Sequence, residues 1–151
     1  MKTSARNQLL GKISAIQIGA VNAEVNLILN NGETITASIT KESAEKLAIK
    51  VGMTVMAWVE AAQIMLVSDF GDYQISARNQ LAGTIVALNS NTIAAEIVIS
   101  LASGDTLAAA ISADSVETLG LHKGQIITAV FKAGAVILAV PKLITDVTQH
   151  L

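Results

Sequence analysis

Side chains able to hold an oxyanion occur in this chain as two parallel sets. Ser4 and Arg6 stand within Ser4-Ala5-Arg6-Asn7-Gln8-Leu9, and the same run returns as Ser76-Ala77-Arg78-Asn79-Gln80-Leu81, an offset of 76 − 4 = 72 residues. Each run pairs a hydroxyl with a guanidinium, which can donate a forked pair of hydrogen bonds to an oxyanion. Thr40 and Ser43, and Ser112 and Ser115, head predicted helices and place hydroxyls at N-cap and N3 beside unpaired first-turn amides. A third cation, Lys132, follows Ala129-Val130-Phe131 in the second copy, where the first copy has Glu60. The plainer alternatives are helix caps worth about 1 kcal/mol each, arginines paired with the recurring Glu24 or Glu96, Asn7 and Asn79 making turns, and Lys132 as a solvated strand end.

No catalytic constellation accompanies these donors. His122 and His150 are isolated, cysteine is absent, and Glu24 and Glu96 come one per copy rather than as a working pair. The expectation is a protein that is not an enzyme, with no catalytic residues and no directly coordinated metal.

The 72-residue offset also aligns Gly11 with Gly83, Glu24 with Glu96, Gly32 with Gly104, Ser43 with Ser115, Gly52 with Gly124 and Leu66 with Leu138, so the chain is a tandem duplication. The period exceeds the roughly 20–50 residues of solenoid and propeller units, and each copy reads as a small domain. Period-two alternation predicts strands from Gln8 to Ala20 and Val21 to Leu29, a tight turn at Asn30-Asn31-Gly32-Glu33, and a strand from Thr34 to Ile39. A short helix follows over Thr40 to Ile49, ended by Val51-Gly52, and then strands at Val55 to Glu60 and Gln63 to Ser68. The second copy repeats β-β-β-α-β-β with strands at Leu81 to Leu88, Thr92 to Leu101, Thr106 to Ile111, Gln125 to Phe131 and Ala135 to Val140, its helix running from Ser112 through Leu119. The predicted fold class is all-β with one short helix per module, two tandem OB-like β-barrels. The boundaries are 1–69 for the first domain, 70–75 for the linker, 76–141 for the second and 142–151 for a tail.

With 52% apolar residues among 151, and mean hydropathy of +0.55, a real core is available. A module of about 70 residues lies near the lower limit of self-sufficiency, so each half is expected to lean on its twin or on other subunits. A net charge of −2 and an aromatic content of 3% speak against nucleic acid. The N-terminus lacks the apolar run of a secretory signal and every long apolar stretch is interrupted, which predicts a cytoplasmic protein without a membrane span.

The doubled Ser-Ala-Arg-Asn-Gln-Leu, Val21-Asn22-Ala23-Glu24-Val25, the helix leaders and Phe131-Lys132-Ala133 together resemble the Mop or molbindin family across residues 3 to 141. The resemblance implies tandem Mop barrels, of the TOBE-like kind, that bind molybdate, with tungstate as a mimic, between subunits of a homo-oligomer, a trimer in stand-alone di-Mop proteins. It implies ligand residues Ser4, Arg6, Thr40, Ser43, Ser76, Arg78, Ser112, Ser115 and Lys132. Glu60 departs from the pattern, since a carboxylate facing a dianion costs about 4 kcal/mol at 4 Å and an effective dielectric of 20. Storage or homeostasis of molybdenum is the function implied. A molybdate-responsive module acting on a partner regulator or transporter is the alternative.

Overall fold

The computed structural model describes residues 3–142. The first repeat contributes β1 (Asn7–Ile18), β2 (Asn22–Ile28), β3 (Thr34–Thr40), α1 (Lys41–Lys46), β4 (Thr54–Val59) and β5 (Met65–Val67). The second contributes β6 (Asn79–Ser90), β7 (Ala94–Leu101), β8 (Thr106–Ser112), α2 (Ala113–Leu119), β9 (Ile126–Phe131) and β10 (Ile137–Ala139). Alternation does what the period predicts: Ala23, Val25 and Leu27 point into the core from β2, while Asn22 and Ile28 are exposed. The fold is the expected pair of OB-like modules with curled sheets, each carrying one short helix.

Strand pairing couples the repeats. One sheet runs β10-β4-β1-β2-β3 and the other β5-β9-β6-β7-β8, so the last strand of each repeat completes the sheet of the other. Met65, Leu66 and Val67 pair antiparallel with Val130, Ala129 and Thr128, and Ile137, Leu138 and Ala139 pair with Trp58, Ala57 and Met56. Buried side chains of both repeats, from Leu9 to Leu138, form one continuous cluster. The two small halves thereby share one core.

Each long first strand changes partner midway. Asn7 to Lys12 pair with β4, and Lys12 to Ile18 pair with β2 across a bulge between Ile13 and Ala15. The equivalent bulge in β6 lies between Ile85 and Ala87. Bulges bend a strand and increase its twist, which curls the sheet. Glycine is required at the handover: a Cβ on Gly83 would lie 2.6 Å from the Ser100 carbonyl oxygen and run into the Ile99 side chain, and one on Gly11 would lie 3.2 Å from the Leu27 Cβ.

The predicted tight turn between β2 and β3 is present, with Asn31 (φ 64°) and Gly32 (φ 87°) in left-handed conformations. The first helix is shorter than its pattern suggested. It ends at Lys46, because Ala48 turns to φ 49° and the chain leaves the helix before Ile49. The fifth strands keep only residues 65–67 and 137–139. The predicted tail lies outside the described residues from 143 onward, as does His150.

Candidate oxyanion site

The recurring Asn of each SARN segment anchors it to the opposite repeat. Asn79 accepts the Thr36 amide N–H through Oδ1 (2.8 Å) and donates through Nδ2 to the Thr36 carbonyl (2.8 Å). Asn7 does the same with Ala108, at 2.6 Å and 2.9 Å, and both asparagines are buried. Thr36 and Ala108 are themselves equivalent positions, since 108 − 36 = 72. A side-chain amide here replaces a missing β-partner on the edge strands β3 and β8, satisfying buried backbone groups that would otherwise be costly. These asparagines therefore do not make turns, as the spacing had suggested. Their recurrence in both hexamers is the signal that could have marked them as structural.

The arginines also reach across. Arg78 Nη1 lies 2.8 Å from Glu24 Oε2, and Arg6 Nη2 lies 2.6 Å from Glu96 Oε1. The anticipated Arg–Glu pairing is present, but each pair joins two repeats. The Asn and Arg contacts each come with their reciprocal, and the two β-turns also meet: Ser103 N–H donates to Glu33 (2.9 Å) and Asn31 donates to the Ala102 carbonyl, from equivalent donor positions to acceptors that are not equivalent. The repeats are thus related by an approximate two-fold axis, like subunits of an isologous dimer. Each guanidinium uses one of its five donors on glutamate and keeps the others for a further acceptor.

Thr40 and Ser112 serve as the N-caps predicted for them. Each accepts the N–H of the residue three positions on, Ser43 at 3.0 Å and Ser115 at 3.3 Å, and each hydroxyl lies 2.8 Å from that serine's Oγ. The cap oxygens of Thr40 and Ser112 are on exposed residues. Glu24 lies opposite Ser38 and Asn22 opposite Thr40, so Thr40 follows on the strand face that Arg78 reaches. In the same way Glu96 faces Ala110 and Ala94 faces Ser112, on the side of Arg6.

Lys132 precedes the 3-10 turn Ala133–Ala135, which packs on β3, and Glu60 precedes the turn Ala61–Gln63, which packs on β8. One cavity of about 400 Å³ brings Ser76, Arg78 and Lys132 together beside Ile75 and Met65. Its counterpart, about 440 Å³, gathers Ser4, Arg6 and Glu60 beside Thr3, Trp58 and Ala110. The helix-leading hydroxyls line neither cavity. They lie at the ends of β3 and β8 and in the first turns of α1 and α2 that follow, always in the other repeat: Thr40 and Ser43 on the side of Lys132, Ser112 and Ser115 on the side of Glu60. Counting Arg78, Lys132 and Glu24, the second-repeat set carries a formal charge of +1 + 1 − 1 = +1. Counting Arg6, Glu60 and Glu96, the first-repeat set carries +1 − 1 − 1 = −1.

The sequence model of the TOBE domain matches residues 3–66 and 75–138. The chain belongs to the TOBE-domain family. Over 93% of its length this TOBE pair superposes on all of a molybdate-bound crystal structure of the cytoplasmic molybdate-binding protein ModG, with a TM-score of 0.91 and 40% identity. It is 38% identical over 140 residues to the molybdenum transport protein ModE of Herbaspirillum seropedicae. With the molybdenum-pterin-binding protein MopA of Rhodobacter capsulatus it shares 39% identity over 141 residues. Each of these alignments takes in 93% of the chain but 52% and 53% of the relative, so the chain spans about half the length of the curated relatives it matches. Among the described residues no three His, Asp or Glu gather as a metal site, and no helix is long and apolar enough to cross a membrane.

Proposed function

We propose that this TOBE pair binds molybdate, with tungstate as a close mimic, and serves in storage or homeostasis of molybdenum in the cytoplasm without catalysing a reaction. The observation that carries this reading is the convergence of Ser76, Arg78 and Lys132 on one cavity of net positive charge, beside a strand that leads to Thr40 and Ser43. A tetrahedral dianion needs many directed donors and little excess charge if it is to be released again. A hydroxyl, a guanidinium with unused donors and one ammonium meet that need. Ser4, Arg6, Ser112 and Ser115 form the corresponding set around Glu60.

The cavity is open and large against one tetrahedral anion, which supports closure by another copy of the chain. The assembly in this reading is a homotrimer with anions at subunit interfaces, and neither nucleic acid nor membrane is a partner. Calorimetry with molybdate, tungstate and sulfate, combined with sedimentation, tests it. Micromolar molybdate binding by a trimer is expected, and a folded oligomer that fails to bind molybdate at that concentration sinks the reading.

A second reading, a molybdate-responsive module acting through a regulator or transporter, draws support from the half-length match to ModE. A pull-down that recovers a stable regulator or transporter subunit would favour it over storage.

A further inference from the structure

We propose that the first-repeat cavity is an oxyanion site of a different ligand class, one for tetrahedral anions that keep a proton at neutral pH, such as hydrogen phosphate or hydrogen arsenate. Glu60 is the residue that accepts that proton's hydrogen bond. This rests on the reading that both cavities hold tetrahedral oxyanions.

The two cavities share a frame and differ in a few lining residues. Ser4 and Arg6 repeat Ser76 and Arg78, while Thr3 stands in place of Ile75 and Glu60 in place of Lys132; Trp58 lines the first cavity, whereas its equivalent Val130 is buried and does not line the second. One of these changes adds a donor, the Thr3 hydroxyl; another brings the Trp58 indole, whose N–H is buried away from the open cavity and has no hydrogen-bond partner among the described residues. The third replaces an ammonium, which only donates, by a carboxylate, which only accepts when ionised.

Glu60 forms no ion pair among the described residues. The charged groups at this cavity are Arg6 and, through it, Glu96; β4, β8, β10 and the Ala61–Gln63 turn carry none. A fully ionised oxyanion such as molybdate or sulfate offers only acceptors and meets Glu60 with like charge. A hydrogen-bearing oxyanion presents one O–H to the carboxylate in a charge-assisted bond and its remaining oxygens to Thr3, Ser4 and Arg6. Glu60 is exposed, so what rejects an analogue lacking the hydrogen is like-charge repulsion from the carboxylate that no hydrogen bond offsets.

The test is calorimetric titration of the full chain with phosphate and with sulfate at neutral pH, each with and without saturating molybdate. Phosphate should bind at least about tenfold tighter than sulfate at a site that molybdate leaves open. Glu60→Gln should abolish that preference, with its folding checked by thermal unfolding. Equal binding of the two anions, no binding of either beside molybdate, or a preference that survives Glu60→Gln overturns the inference and leaves the molybdate reading intact. Loss of molybdate binding with the phosphate preference intact would overturn only the molybdate reading.

Discussion

The cavity at Lys132 and the cavity at Glu60 are built on one backbone plan and carry opposite net charge. In both, an Asn clamps a SARN segment to an edge strand of the other repeat, and an Arg bridges to a Glu on that strand's neighbour. Duplication kept the frame because the frame is shared: each Asn and each Arg is also a contact holding the opposite repeat. The lining residue at position 60 or 132 holds nothing together, and there the copies diverge. The asparagines and arginines, which serve both folding and the site, are alike in the two copies, whereas Glu60 and Lys132, which serve the site, differ.

Six substitutions would break or sharpen that contrast. The largest effect is expected for Lys132→Glu, which turns the second-repeat set from +1 to −1. Molybdate affinity there should fall about a hundredfold, less than the unscreened Coulomb figure because the cavity is solvated, as measured by calorimetry. Asn79→Ala leaves the buried N–H and C=O of Thr36 unpaired and should cost about 2 kcal/mol in urea unfolding. Asn7→Ala should cost about as much through Ala108, since the two frames are equivalent even though the cavities are not. Glu60→Lys should bring the first cavity to the charge of the second and add molybdate binding there, with a gain of about tenfold in that site's affinity. The smallest effects belong to Glu24→Gln and Glu96→Gln. Their ion pairs are partly exposed and should change stability by less than about 1 kcal/mol, whereas freeing Arg78 from Glu24 should tighten molybdate binding by about threefold.

Much of this architecture can be read along the chain. The alternation of Ala23, Val25 and Leu27 announces β2, Asn31 and Gly32 announce its turn, and Thr40 and Ser112 announce helix starts, because each signal is local in φ/ψ or in capping chemistry. Ser76, Arg78 and Lys132 could be nominated as a ligand set, and they do line one cavity. What chain order does not give is the company they keep. Thr40 and Ser43 lie beside the Lys132 cavity, and Ser112 and Ser115 beside that of Glu60, although each pair belongs to the other repeat. The roles of Asn7 and Asn79 were hidden for the same reason, since an Asn before a strand looks alike whether it makes a turn or bridges 101 residues away to Ala108.

The sequence by itself determined the SARN duplication, the element order, the donor types and the exception at Glu60, since all of these depend on residue identity and on near neighbours. Only the tertiary structure decided that β5 and β10 change places, and with them which hydroxyls accompany which cation. Strand exchange is settled by shared burial: each short last strand finds its hydrogen-bond partner and apolar cover on the other repeat's sheet. No local pattern in the residues of 65–67 or 137–139 distinguishes one sheet edge from its twin.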